Sequence, residues 1–197
     1  MRFLVASLSA FAVLLLGSCA APRGEGGDAR QVATGGYEAA PGTLPPRYAS
    51  REFPRGRMPV ADFVLVDKSE RLLIAYSNGK PIRAYRSLRF GDEPSGHKRF
   101  EGDERTPEGR YTIDWRNPQS AYHLSLRISY PNARDRAFAA QYGRSAGGDI
   151  FIHGQPTGYS GPPIGRDWTD GCIALTNEEI EELWQIVPDG TPIEIRP

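Results

Sequence analysis

The chain has 197 residues, with 24 Lys and Arg against 24 Asp and Glu, 22 glycines, 17 prolines and two cysteines. The zero net charge offers no basic field to nucleic acid, and two cysteines are too few for a disulfide framework or a four-thiolate metal site. Hydrophobic residues at 39% suffice for one ordinary core, and the glycine and proline content indicates many turns. The sequence therefore predicts one compact, turn-rich domain with no nucleic-acid partner.

The amino terminus has the layout of a secretory signal over residues 1–18, with a single positive charge and then an apolar run. That run is shorter than the ~20 residues that span a bilayer, which favours a cleaved signal over a permanent transmembrane helix. Its tail, Leu16-Gly17-Ser18-Cys19, resembles a bacterial lipobox. The resemblance implies that Cys19 is lipidated and anchors the chain at the periplasmic side of the envelope, with Ala20 favouring the outer membrane. Plain secretion into the periplasm is the alternative.

The segment over residues 19–59 is typical of a flexible linker. It is rich in Gly, Pro, Ala and Arg, has hardly any apolar periodicity, and lacks the hydrophobic content that a packed pro-segment needs. About 40 such residues have an r.m.s. span of roughly 35 Å, so an anchored domain can work at a distance from the membrane. We therefore expect one folded domain over residues 60–197.

Three strand patterns open this domain, over residues 62–67, 71–77 and 81–88. The pair Asn78-Gly79 predicts a tight hairpin between the second and the third. Residues 90–109 form a long polar loop, and because loops of that length are often functional we expect it to be a lid.

The second half of the domain combines short strands with two short helices. The predicted elements are strands over residues 110–115 and 122–129, a helix over 133–142, a strand over 149–153, a helix over 176–187 and a strand over 191–196. Asn132 is the predicted N-cap of the first helix, and Thr176 with Glu179 predicts a capping box at the second. The fold class is therefore mainly β with a few short helices.

Cys172 is the one thiol left in the mature chain if Cys19 carries lipid. The preceding Thr169-Asp170-Gly171 is typical of a tight turn that presents the next side chain, which favours a reactive thiol. A buried, inert cysteine is the alternative, because Ile173 and Leu175 beside it are apolar.

His153 ends an apolar strand beside the glycine- and proline-rich loop that leads to Cys172, whereas His97 lies in the polar loop and His123 within a strand. An imidazole near a thiol can take its proton and return it to a leaving amine. Two alternatives stay open: a histidine that is merely satisfied at a strand end, and a metal site built from His153, Cys172, Asp170 and another histidine. The spacing of that set matches no compact zinc motif.

Two runs of residues are separated by a spacer that ends at Trp168: Ile152-His153-Gly154-Gln155-Pro156 before it, and Thr169-Asp170-Gly171-Cys172-Ile173-Ala174-Leu175 after it. Together they resemble the active-site signature of the L,D-transpeptidase (YkuD-type) catalytic domain. Upstream, residues 67–73 and 102–113 are similar to the early hairpin and the Thr-Pro-x-Gly segment of that family. The resemblance covers about residues 60–196.

The resemblance implies a β-sandwich-like fold, peptidoglycan stem peptides as substrate, and no metal or organic cofactor. Cys172 would form a thioester with the stem peptide, His153 would act as base and then acid, and the backbone N–H groups of Gly171 and Cys172 would hold the oxyanion. Transfer to an amine is the expected outcome, and hydrolysis by a carboxypeptidase or endopeptidase of the same fold is the alternative. A non-catalytic wall-binding module is a further alternative, against which intact His153 and Cys172 argue.

Two positions depart from the family pattern. Asp170 stands where the family often has histidine, and Ala174 where many members have arginine or asparagine. Because a carboxylate near sulfur raises the thiol pKa, we expect Asp170 to face away or to hold a neighbouring donor. Substrate binding is assigned to Arg166, as the cation for a substrate carboxylate, together with Gly154, Thr169 and Asp170. These departures look more like a family branch that includes hydrolases.

Overall fold

The computed structural model describes residues 59–197. The expected signal peptide over residues 1–18, the lipidated Cys19 and all but the last residue of the linker lie outside the described residues. The secondary structure elements, in chain order, are β1 (Phe63–Asp67), β2 (Leu72–Ser77), β3 (Lys80–Tyr85), β4 (Gly109–Ser120), β5 (His123–Ile128), α1 (Ala133–Gln141), β6 (Phe151–His153), β7 (Ile173–Ala174), α2 (Asn177–Ile186) and β8 (Thr191–Arg196).

All eight strands join one curled sheet in the order β3-β2-β1-β8-β4-β5-β6-β7. The pairs β1–β8 and β6–β7 are parallel and the others are antiparallel. The last strand, β8, lies in the middle and ties the first hairpin to the second half of the domain. The expected fold class, mainly β with short helices, is confirmed.

The hairpin between β2 and β3 forms as its turn residues predict. Asn78 and Gly79 both have positive φ, at +50° and +72°, and Ser77 pairs with Lys80 across the turn. Two consecutive residues with positive φ characterise the type I′ turn, which matches the right-handed twist of the flanking strands. The Asn-Gly pair adopts this turn at low cost, because glycine has no Cβ and asparagine tolerates positive φ.

The hydrophobic core lies between the sheet and helix α2, which packs against β5 and β6. Ile180, Leu183 and Ile186 form the buried face of the helix. The expected capping box is present: the Thr176 hydroxyl accepts from the Glu179 N–H at 3.2 Å, and the Glu179 carboxylate accepts from the Thr176 N–H at 3.1 Å. The other face of β5 and β6 is free of α2, and this is where the site lies.

The main differences from the sequence prediction concern β4 and β7, while β3 ends three residues early at Tyr85 and β6 begins two residues late at Phe151. β4 continues to Ser120, beyond the predicted end at residue 115, although Pro118 lies within it. This is tolerated because β8 pairs with β4 only through Ile113, so the far half of β4 needs no donor on that side. The two-residue β7 was missed because its pairing with β6 is set by tertiary contacts and leaves no periodic pattern.

Candidate active site

Two rows of side chains cross the sheet from β4 to β7 on the face opposite α2. The thiol row consists of the register partners Trp115, Arg127 and Phe151, and of Cys172, which directly precedes β7 and accepts from the Phe151 N–H. The imidazole row lies two residues along each strand and consists of Asn117, Ser125 and His153. Successive residues of a strand alternate between faces, so Leu126, Ile152 and Ile173 point the other way into the core, where each is fully buried. The register therefore brings the thiol and the imidazole to one face.

A cavity of about 430 Å³ lies over these rows. Cys172 and His153 both line it, together with Tyr122, Trp168, Asp149 and Asp170. Its other lining residues come from the β4–β5 hairpin, from Gly148 and Phe151 before and in β6, and from Thr169 in the turn before Cys172.

The His153 ring is held in one orientation. It is 3% exposed, and its Nδ1 lies 2.7 Å from the Gly154 carbonyl oxygen. A carbonyl oxygen only accepts, so this bond assigns the proton to Nδ1 and leaves Nε2 with a free lone pair. Tyr122 lies against the ring with centroids 4.6 Å apart, and Trp168 meets it edge-on at 5.6 Å.

Burial sets the protonation state of His153. It lowers the pKa of the imidazole to about 4, although the hydrogen bond to the Gly154 carbonyl opposes the shift. At neutral pH the ring is therefore neutral, which is the state that a general base requires.

Gly154 lies behind the imidazole and does not belong to the cavity lining. A Cβ at this position would come within 2.6 Å of the Asn177 Oδ1 atom and 3.0 Å of Ile180, so only glycine fits. Its N–H donates to the carbonyls of Tyr122 and Leu124, while its own carbonyl holds His153. These contacts make Gly154 a positioning residue for the base, and its expected contact with substrate stays a prediction.

Cys172 is protonated in this resting geometry. Its Sγ accepts from the Phe151 N–H at 3.4 Å and lies 3.5 Å from the Asp149 carbonyl oxygen. Burial raises the pKa of the thiol to about 11; the Phe151 hydrogen bond opposes this, and the negative charge of Asp170 adds to it. Within residues 59–197, the sulfur hydrogen-bonds to these two backbone groups and not to the imidazole.

The turn before Cys172 requires glycine at position 171. Gly171 has φ +113°, and a Cβ there would lie 2.4 Å from the carbonyl oxygen of Arg105. Thr169, which is buried, donates its hydroxyl to the Cys172 carbonyl at 2.8 Å and accepts from the Gly171 N–H at 3.3 Å. Of the two amides expected at an oxyanion hole, that of Gly171 is thus engaged by Thr169, which favours the Cys172 N–H for that role.

The long loop over residues 90–109 supports this turn from below. The hydroxyl of fully buried Thr106 donates to the Gly171 carbonyl at 3.0 Å, and the Phe90 carbonyl accepts from the N–H groups of Trp168 and Thr169. No residue of the loop belongs to the cavity lining within the described part of the chain. The structure thus shows this loop supporting the turn before Cys172, whereas a lid over the cleft was expected.

Arg166 and Asp170, both predicted to bind substrate, differ in their placement relative to the cavity. Arg166 is exposed and does not line the cavity. Asp170 does line it, and its charge raises the pKa of Cys172. The described lining contains two carboxylates, Asp149 and Asp170, and neither lysine nor arginine.

Sequence reasoning did not single out Tyr122, Trp168 and Asp149 as site residues. Tyr122 comes from the β4–β5 hairpin, whose position beside His153 depends on strand pairing. Trp168 directly precedes the signature, and this proximity was the one local signal available. Across residues 59–197, no group of three or more His, Cys, Asp or Glu side chains is placed to hold a metal ion, and no helix is long and apolar enough to cross a membrane.

A mainly β fold with this cleft is that of the YkuD-type enzyme domains. The family model YkuD, the L,D-transpeptidase catalytic domain, matches residues 61–195, and the chain belongs to this family. The resemblance found in the signature motifs is thereby confirmed.

Two relatives are similar over the same region. YafK from Escherichia coli K12, named as a candidate L,D-transpeptidase, is 29% identical over 144 residues, which cover 70% of this chain and 52% of YafK. The helical cell shape determining protein Pgp2 from Campylobacter jejuni is 28% identical with a TM-score of 0.54, covering 72% of this chain and 51% of Pgp2. A lysine-to-alanine variant of Pgp2 gives 30% identity and a TM-score of 0.55, covering 70% and 47%. The chain spans about half the length of these relatives.

Proposed function

We propose that this protein is a peptidoglycan L,D-transpeptidase with Cys172 as nucleophile and His153 as general base and acid. The observation that carries the proposal is the register that places both side chains over one cavity, with Nδ1 of the imidazole committed to Gly154 and Nε2 left as the proton acceptor. Family membership supports stem peptides as the substrate.

In the first half-reaction, the Cys172 thiol loses its proton to His153 Nε2 as the sulfur attacks the carbonyl carbon of an L,D peptide bond. The Cys172 N–H holds the oxygen of the tetrahedral intermediate. The C–N bond then breaks, and His153 returns its proton to the leaving amine. A thioester on Cys172 remains. Since both groups are neutral at rest, thiolate forms only as substrate engages, and the resting thiol is protected from alkylation and oxidation.

In the second half-reaction, an acceptor amine attacks the thioester carbonyl and gives a proton to His153, and the departing sulfur takes that proton back. An amide forms and the free thiol is restored. Water in place of the amine would complete hydrolysis, which is the second candidate function: a carboxypeptidase or an endopeptidase that remodels murein or releases a wall-linked protein.

The charge of the cleft favours an amine acceptor. Asp149 and Asp170 give the described lining two carboxylates and neither lysine nor arginine. Lys98 and Arg127 act electrostatically on the site from outside the lining, but each is already paired with a carboxylate, Asp103 and Asp114 respectively. Carboxylates concentrate an ammonium group at the cleft, whereas they offer no such gain to water. The same charge disfavours a substrate carboxylate close to Asp170, so the predicted carboxylate-binding role of Arg166 would apply further out along the substrate.

The decisive experiment incubates purified protein with tetrapeptide muropeptides and follows the products by mass spectrometry. Cross-linked dimers are the expected products. Tripeptides as the only product would indicate carboxypeptidase activity instead of transpeptidation, and loss of linked protein peptides would indicate an endopeptidase. The Cys172→Ala variant should abolish every product while keeping the circular dichroism spectrum of the parent, and turnover by that variant would refute the cysteine mechanism.

We also propose that the domain works at the periplasmic side of the envelope through a lipid on Cys19. The lipobox-like tail supports this location. Intact mass of the membrane-extracted protein should show a diacylated Cys19, and Cys19→Ser should move the protein to the soluble fraction. A soluble parent protein would instead support plain secretion.

A further inference from the structure

An exposed tryptophan lies at the far end of the thiol row. Trp115 is 45% exposed, although it belongs to β4 in the middle of the sheet order. It contacts Phe151 with ring centroids 6.3 Å apart, and Phe151 lines the cavity and hydrogen-bonds to Cys172. An aromatic surface therefore continues from the nucleophile out of the cavity, and Trp115 forms its outer end.

The indole of Trp115 is held in place by Arg127, another residue of the thiol row. Arg127 makes a two-pronged contact with Asp114, at 2.9 Å and 3.2 Å, and its guanidinium lies 5.6 Å from the Trp115 ring centroid. Phe151 meets the indole at 62°. An aromatic ring that is fixed before binding loses little side-chain entropy when a ligand stacks on it, so Trp115 is suited to be a binding platform.

The separation between Trp115 and Cys172 sets what can occupy this platform. Neighbouring strands are about 4.8 Å apart, so three strand steps place the two residues roughly 14 Å apart. In the proposed reaction a tetrapeptide is cut to a tripeptide, and the attacked carbonyl therefore belongs to the third residue. Three extended residues and the lactyl linker, which adds about one residue length, span roughly 14 Å between that carbonyl and the sugar.

We propose that Trp115 binds the N-acetylhexosamine ring of the glycan strand that carries the attacked stem peptide; this rests on the proposed function. A pyranose presents an apolar C–H face to an aromatic ring and a rim of hydroxyls to its surroundings. The indole supplies the matching apolar face, and Arg127 with Asp114 supplies a donor and an acceptor beside it. The platform selects stem peptides still attached to glycan over free peptides.

Binding in the Cys172→Ala background tests this without turnover. Isothermal titration compares a disaccharide-tetrapeptide with the same tetrapeptide lacking sugar. The sugar-bearing ligand should bind more tightly, and Trp115→Ala should weaken it roughly five-fold, as expected for one aromatic contact, while leaving the free peptide unchanged. Trp115→Phe should restore part of the loss. Tyr142→Ala, which removes an exposed aromatic outside the described cavity lining, is the matched control and should bind as the parent does.

Equal weakening of both ligands by Trp115→Ala would overturn the proposal in favour of a peptide-binding surface, and no weakening of either would remove Trp115 from binding. Failure of the proposed reaction is a separate outcome. It would show as absence of turnover in the wild type while the sugar-dependent difference in affinity persists.

Discussion

The buried, neutral imidazole of His153 makes the stability of the domain depend on pH in a way that can be calculated. Burial lowers the folded-state pKa to about 4, while an unfolded chain has a histidine pKa of about 6.5. At pH 7 the ring is neutral in both states, so this group leaves the free energy of unfolding unchanged. As the pH falls through 6.5, the imidazole binds a proton in the unfolded state but not in the folded state, so the free energy of unfolding decreases.

The size of the loss follows from the difference between the two pKa values. Each pKa unit corresponds to 1.36 kcal/mol, so the free energy of unfolding should fall by about 2 kcal/mol between pH 7 and pH 5, and by about 3 kcal/mol at pH 4. His153→Gln removes the titrating group. The free energy of unfolding of this variant at pH 7 will differ from that of the parent. Its decrease from pH 7 should be smaller than the parent's by about 2 kcal/mol at pH 5 and about 3 kcal/mol at pH 4.

Urea unfolding followed by tryptophan fluorescence at pH 7, 6, 5 and 4 measures this decline. Cys172→Ala is the control, because a thiol with a pKa of about 11 does not titrate in this range and its removal should leave the acid slope of the parent intact. Identical slopes for the parent and His153→Gln would refute the reasoning, since they would mean that the imidazole titrates alike in the folded and unfolded states.

Three further predictions concern the turn that carries Cys172. Gly171→Ala forces a Cβ to within 2.4 Å of the Arg105 carbonyl at positive φ, so thermal denaturation should show a clearly lower Tm and muropeptide turnover should be lost; parent-like behaviour in both would contradict the turn geometry. Thr106→Val leaves the buried Gly171 carbonyl without its hydroxyl donor, so the free energy of unfolding in urea should fall by about 1 to 3 kcal/mol and kcat should fall as well. Thr106→Ser keeps the hydroxyl and should retain the stability and the kcat of the parent. Equal losses in the two variants would mean that packing, and not the hydrogen bond, is responsible. Asp170→Asn removes a charge that raises the pKa of Cys172, so iodoacetamide should alkylate the thiol several-fold faster at pH 8; an unchanged rate would mean that solvent screens this charge.

Most of the strand and helix pattern could be predicted from the sequence because it rests on neighbours along the chain. Alternating apolar residues indicated the strands, the Asn78-Gly79 pair indicated the β2–β3 turn, and Thr176 with Glu179 indicated the start of α2. The same holds for the prediction that His153 and Cys172 share one site, since the motif around each is local, the family resemblance joins them, and both line the cavity.

The lining of the cleft depends on which strands lie side by side, and no local pattern records that. Pairing of β4 with β5 and of β5 with β6 brings Tyr122 onto the imidazole and Trp115 into the thiol row. Arg166 and Asp170 both lie in the loop before Cys172, and both were predicted to bind substrate. The tertiary structure places Arg166 outside the described cavity lining and Asp170 within it.

The long loop over residues 90–109 shows the same division. Its length and composition identified it as a loop, but its role as support depends on the contacts of Thr106 and Arg105 with Gly171, about 65 residues later in the chain. Sequence alone therefore predicted Cys172 and His153 as the candidate nucleophile and base and determined most of the elements that carry them, because these depend on short-range patterns. Only the tertiary structure decided which side chains line the cleft, which charges they carry, and that Trp115 lies at its outer end, because strand register and long-range packing set these features.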